Sequence, residues 1–317
     1  LIMASKLQFL MYFIISVFSI FLAVACTSDN DVPFPDSEAP SIDFEGSALT
    51  RGIVNAADDM SAFDVWGWYS PISGTGTARQ VFDATLVSRN GTTWTYDNIQ
   101  RWQQGNSYQF YAIYPSFDAE CGYKSASCDQ DGIFTINNFD CSKTGDEAVD
   151  LMTAVRSVEC GTDGYPGKVS MPFQHELAKV NIKATVEGGN AIVTKITFSG
   201  MKTGGNYNSA NTDRWSDTKS GSFINETRQP LDTKGVDLLG DMLLIPQNVN
   251  NDIKLKVKYI LDGVPQTPKE FTLPATVKKW EAGKSYRYTI TFKGNNIVFT
   301  VNVASWNHST GGIITVE

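Results

Sequence analysis

Polar and apolar residues alternate along much of this chain. In "SYRYTITFK", Tyr286, Tyr288, Ile290 and Phe292 fall on one side, and Ser285, Arg287, Thr289 and Thr291 on the other. "IKLKVKYIL" sets Ile253, Leu255, Val257 and Tyr259 against Lys254, Lys256 and Lys258. "NIVFTVNVASW" collects Ile297, Phe299, Val301 and Val303 on one face. A period of two sends successive side chains to opposite faces of a pleated strand, so these segments read as half-buried antiparallel strands. Asp262-Gly263, Gly294-Asn295-Asn296 and Asn90-Gly91 supply turn signals between such runs. No long helical periodicity capped at both ends interrupts them.

Counted this way, seven strands follow residue 190, around 192–199, 221–226, 241–246, 253–261, 269–273, 285–293 and 297–306. A similar set precedes it, around 64–70, 80–88, 92–97, 107–114, 133–137, 150–157 and 168–186. The pattern predicts an all-β protein of antiparallel sandwiches. The last segment of the first set, "KVSMPFQHELAKVNIKATV", changes phase. Val169, Met171, Phe173, His175 and Leu177 share one parity, and Ala178, Val180, Ile182, Ala184 and Val186 take the other. Such a change requires a bulge or a move between sheets. A local repeat links the halves: "WQQGNSYQF" from Trp102 and "WEAGKSYRY" from Trp280 both read W-x-x-G-x-S-Y-x-aromatic. Each tryptophan is expected to pack over a strand start, with the glycine turning the chain. Sugar stacking is the rival role for these rings.

The N-terminus follows a different rule. From Leu7 to Ala25 the only polar residues are Gln8, Ser16 and Ser19, with Lys6 before them and Met3 as a candidate initiator. The run ends in Ala23-Val24-Ala25 immediately before Cys26. Residues 1–25 therefore read as a signal peptide, with a membrane-spanning helix as the alternative. "TSDNDVPFPDSEAP" is acidic, proline-containing and poor in aliphatics, which describes a tether.

Composition narrows the chemistry. The 317 residues are 42% hydrophobic and 12% aromatic, too many for one small sandwich and suited to two β domains. A net charge of −8 without a basic stripe argues against nucleic acid as a partner. There are five cysteines. Cys121, Cys128, Cys141 and Cys160 form an even set that permits two disulfides, with three pairings open. A zinc site is the rival, but no C-x-x-C pair is present. The sequence lacks a G-x-S-x-G elbow, H-E-x-x-H, a P-loop and a dinucleotide fingerprint, so no catalytic residue, cofactor or metal is expected. Of the two histidines, His175 sits in the apolar phase of a strand, where a hydrogen-bonded core role is expected, and His308 sits in a polar tail.

Taken in order, the Ala-Val-Ala-Cys ending, the acidic tether, "LTRG", "FDVWGWYS", "PFQHELAKVNI", "ITFSGM", "LLIPQ", "WEAGKSYRYTITF" and "VNVASW" resemble the fimbrillin family of Bacteroidetes, the Mfa-like subunits of type V pili. The resemblance covers nearly the whole chain after the leader. It implies two tandem transthyretin-like β-sandwich domains, here 52–187 and 188–317, after an acidic tether and removable first strand at 26–51. It also implies lipid attachment at Cys26 and an outer-membrane, surface-exposed precursor. A trypsin-like protease would cut between Arg51 and Gly52. That cut removes a strand containing Ile42 and Phe44, and a strand from another subunit refills the groove. The donor would come from the C-terminal end, with Ile297, Phe299, Val301 and Val303 as pocket-filling residues, or that strand would be the ordinary last strand of its own domain. Expected partners are other fimbrial subunits and a host or bacterial surface receptor. The alternative function is a monomeric surface lipoprotein that binds glycans through Trp66, Trp68, Trp102 and Trp215.

Overall fold

The structure, a computed structural model, describes residues 39–48, 60–118, 120–294, 296–306 and 314–316. Its first strands in chain order are β1 (Phe44–Ala48), β2 (Ala62–Pro71), β3 (Arg79–Asn90), β4 (Thr93–Thr95), β5 (Asn106–Tyr114), β6 (Ser125–Cys128), β7 (Phe134–Asp140), β8 (Met152–Cys160) and β9 (Val169–His175). There follow β10 (Ala178–Glu187), β11 (Ala191–Asn208), β12 (Trp215–Asn225), β13 (Lys254–Leu261), β14 (Lys284–Lys293), β15 (Asn296–Ser305) and β16 (Ile314–Val316), with short ladders between them. The only helical element among the described residues is a single 3-10 turn, Gly145–Glu147. The protein is all-β.

The first sheet runs β1-β9-β8-β5-β2-β3-β4 and encloses a core built on Phe63, Phe82, Tyr108, Phe110 and Phe173. In the second sheet β10, β14, β15 and β16 are neighbours in that order. The third joins β13, β11, β7 and β6, with β12 also on β11. The second and third sheets share a core that includes Ile182, Phe198, Leu255, Trp280 and Tyr288. A further cluster draws Trp66 from β2, Tyr111 and Ile113 from β5, Ile136 and Phe139 from β7, Tyr207 from β11, and Trp306.

The phase change at 168–186 is a change of sheet. β9 lies beside β1 and β8, whereas β10 pairs in parallel with β14 from Lys179↔Ser285 to Glu187↔Lys293. Glu176 and Leu177 make the transition: the Glu176 amide donates to Leu151 O, and Leu177 O accepts from the Gly283 amide. The parity switch turns the apolar set of β10 toward the second core. β10 therefore hydrogen-bonds with the C-terminal strands. β6 and β7 likewise join the third sheet through β7–β11 pairing.

The W-x-x-G-x-S-Y repeat builds the same structure twice. The Gln103 amide donates to Tyr108 Oη at 2.8 Å, and the Glu281 amide donates to Tyr286 Oη at 3.0 Å. Gly105 and Gly283 adopt φ of 76° and 69°, a left-handed turn that favours glycine. Trp102 and Trp280 are both buried, one in the first core and one in the second.

Candidate functional site

The chain enters the fold through a narrow seat. Pro40 O accepts from the Trp102 amide at 3.2 Å, and the Ile42 amide donates to Gln100 O at 2.9 Å, so Ala39–Ile42 runs against the 100–102 segment. Ser41 bridges Arg101 in the same antiparallel sense, and the Arg101 guanidinium donates to Ala39 O. Tyr96 Oη donates to Ile42 O at 2.8 Å. Burial pushes the Tyr96 phenol up to about 12, so it is a neutral donor at physiological pH. The chain then crosses to β9. The Val169 amide donates to Asp43 O at 2.7 Å, and β1 continues in parallel with β9.

Among the described residues β1 is an edge strand with β9 as its one sheet neighbour. Its grip is in the side chains. Ile42 is fully buried, and Phe44 is 2% exposed. The Phe44 ring meets Phe82 at 5.3 Å, Phe110 at 5.6 Å, Tyr96 at 5.9 Å and Phe63 at 6.2 Å, all edge-on. Burying these two side chains contributes about 1.5–3 kcal/mol each. The edge-on ring geometry matches the quadrupole preference of aromatic pairs. Removing residues 39–48 would open an aromatic groove and leave an unpaired sheet edge on β9. Cys26, Arg51, Gly52 and His308 lie outside the described residues.

At the other end of the chain, β15 carries Ile297, Phe299, Val301 and Val303. It pairs with β14 over ten residues, from Lys284↔Ser305 to Lys293↔Asn296. Val301 is 3% exposed, and the other three are half-buried against the second core. Phe299 packs on Phe271 at 5.3 Å and on Tyr288 at 5.7 Å. These four residues are therefore seated against the second core in this structure. β16 covers the outer side of β15 through three pairs, Val301↔Val316 to Val303↔Ile314.

Trp306 locks the end of β15. Its amide donates to Gly283 O at 2.7 Å, and its ring stacks on His175 with centroids 3.6 Å apart and planes at 11°. His175 Nδ1 hydrogen-bonds Asp150 Oδ1 at 2.9 Å, with both side chains buried. Lys179 Nζ lies 5.9 Å from the Trp306 ring centroid and 2.8 Å from Asp241. His175 is thus a core hydrogen-bonding residue, as its phase in the strand implies. Glu176 beside it accepts from Thr153 Oγ1 at 2.7 Å and from Arg214 at 3.0 Å. Sequence reading missed this junction. The one signal was the buried-phase histidine, because its partners are 25 or more residues away.

The four cysteines are free, buried thiols in this structure and form no disulfide. Cys121, Cys128 and Cys141 belong to the cluster around Trp306, while Cys160 is in the first core, so folding separates it from the rest. Burial pushes the Cys128 and Cys141 thiols up to about 12, which keeps them protonated. Trp66 and Trp102 are buried at 3% and 1% exposure, and Trp68 and Trp215 are half-buried. Among the described residues no three acidic, histidine or cysteine side chains converge as metal ligands.

The sequence profile described as fimbrillin-like matches residues 50–306. No curated protein matches the chain. Among solved structures, one from Bacteroides ovatus, described as a candidate cell adhesion protein, is 16% identical with a TM-score of 0.55, over 84% of this chain and 98% of that one. A fimbrial protein from Bacteroides vulgatus is 17% identical with a TM-score of 0.51, over 84% and 99%. At these identities the likeness is one of fold.

Proposed function

The chain belongs to the fimbrillin-like family, and from that premise we propose that it is a structural or adhesive subunit of a cell-surface fimbrium, assembled by loss of its first strand and strand exchange. The observation that carries this reading is the seat of residues 39–48. That segment fills an aromatic groove at a sheet edge, is held by one strand neighbour, and lies just upstream of Arg51. Cutting after Arg51 releases strand and tether together. The exposed β9 edge then accepts a strand from the next subunit, and head-to-tail contacts that do not close build a filament.

The donor comes from the C-terminal end. β16, held by three pairs at a free edge, is the more readily released segment; β15, with ten pairs to β14, is the more costly one. Two tandem transthyretin-like domains fit the recurrence of the tryptophan–tyrosine turn in each of two cores. The precursor is anchored by lipid at Cys26, and the processed subunit lacks it. The glycan-binding alternative is weakened because two of its four tryptophans are core residues.

N-terminal sequencing of the surface-assembled protein tests the processing step. Mature chains beginning at Gly52 are expected. Assembled chains that begin at acylated Cys26 would refute it.

A further inference from the structure

Strand β9 serves both ends of the chain. Its first five residues pair in parallel with β1, from Phe44↔Val169 to Ala48↔Phe173. Its last residue, His175, stacks at 3.6 Å on Trp306, the residue that follows β15. The ladder between β8 and β9 has two pairs, Met152↔His175 and Thr153↔Gln174, both at the His175 end. Along Val169–Phe173 the ladder is therefore the work of β1.

Two physical links run from that ladder to Trp306. One is a row of rings. Phe44 meets Phe63 at 6.2 Å, and Phe63 meets Phe173 at 5.3 Å. His175 follows Phe173 by two positions, on the same face of β9 and about 7 Å further along it. The other link is backbone. The Gly283 amide donates to Leu177 O at 2.9 Å, and the Trp306 amide donates to Gly283 O at 2.7 Å. Phe44, Phe63, Phe173, His175 and Trp306 are all buried. A close-packed row has little free volume to absorb a displacement, so movement at one end is passed to the other.

We propose that β9 couples the seat of residues 39–48 to the seat of Trp306. A chain with its first strand in place then holds its C-terminal strands more firmly than a chain whose first strand has left. Resting on the strand-removal reading, the coupling makes the C-terminal segment more available for donation after the cut at Arg51 than before it. An uncut subunit is then a poor donor as well as a blocked acceptor. Coupling of this kind is reciprocal, and typically changes the opening of each site 5- to 150-fold.

Hydrogen exchange on the full, uncut chain tests this. Ile42→Asp/Phe44→Asp places two carboxylates in the aromatic groove and keeps the segment out, which loss of protection at the Val169 amide verifies. Exchange at the Trp306 amide should then accelerate about 5- to 150-fold, with the β10–β14 ladder unchanged. In the reverse direction, Trp306→Ala should accelerate exchange at Val169 by a similar factor. Leu255→Ala, a large-to-small change in the second core, should leave Val169 as it is. If the two-carboxylate variant fails to fold, the comparison of Trp306→Ala with Leu255→Ala decides. Unchanged exchange at Trp306 once the segment is out would overturn the coupling. So would unchanged exchange at Val169 in Trp306→Ala, or equal acceleration there in Leu255→Ala. All of these measurements use the uncut chain, so they stand or fall independently of where the assembled protein begins.

Discussion

Truncating Phe44 should loosen the first strand selectively. The ring is 2% exposed and touches four other aromatic rings. Phe44→Ala removes that contact and leaves a cavity walled by rigid rings, so the loss should be about 3–5 kcal/mol. The segment's backbone bonds to Gln100, Trp102 and Val169 survive the substitution. The free energy for opening residues 39–48 falls by the side-chain amount, and the open population rises roughly 150- to 4,000-fold. Two measurements read this. Hydrogen exchange at the Val169 amide, which donates to Asp43 O, should accelerate by that factor. Limited trypsin digestion after Arg51 should accelerate in parallel, because cleavage follows the open population when reclosing is fast. Amides of the β10–β14 ladder serve as the internal control and should keep their protection. If exchange at Val169 is unchanged, Phe44 does not hold the strand. If protection falls equally in the β10–β14 ladder, the first strand is not a separable unit, and the processing scheme loses its physical basis.

Other outcomes follow from the junction and the cores. Trp306→Ala should cost about 3–5 kcal/mol in urea unfolding, since it removes a buried ring stacked on His175. Arg214→Ala strips Glu176 of its cation. Arg214 is half exposed, so the expected loss is about 1–2 kcal/mol, with partial recovery in Arg214→Lys. Thiol labelling should detect no reactive cysteine among residues 121–160 in the native protein and four after denaturation in non-reducing buffer; fewer than four would establish a disulfide. Cys128 and Cys141 have folded-state values raised to about 12 from 9.0. The unfolded chain therefore loses these protons first, and their contribution is full below pH 9 and disappears as pH rises toward 12. Urea midpoints should fall across that window, and less steeply in a Cys128→Ala/Cys141→Ala variant.

The groove and the junction differ in how far sequence reveals them. Ile42 and Phe44 stand out as apolar residues in a polar stretch, and their burial follows from that isolation. Tyr96 and Arg101, which hold the backbone around them, carry no such mark, because their partners are 54 and 62 residues distant. The same limit applies to the cysteines. Their proximity along the chain suggests pairing, yet Cys160 folds into another core.

β6, β16 and residues 200–208 of β11 were not legible in the sequence, whereas most of the other strands, the faces of β13, β14 and β15, the paired tryptophan turns and the phase switch at 168–186 were determined by it alone. Each depends on side-chain parity or on a turn residue within a few positions, and parity is local information. The tertiary structure alone decided that β10 runs parallel to β14, that β7 joins β11, that β1 closes on β9, and that Trp306 stacks on His175. Those choices depend on which apolar faces can be buried together once all the strands exist. No short stretch of chain encodes that condition, because the partners meet only across long separations, such as 64 residues between Asp140 and Gly204 and 106 between Ile182 and Tyr288.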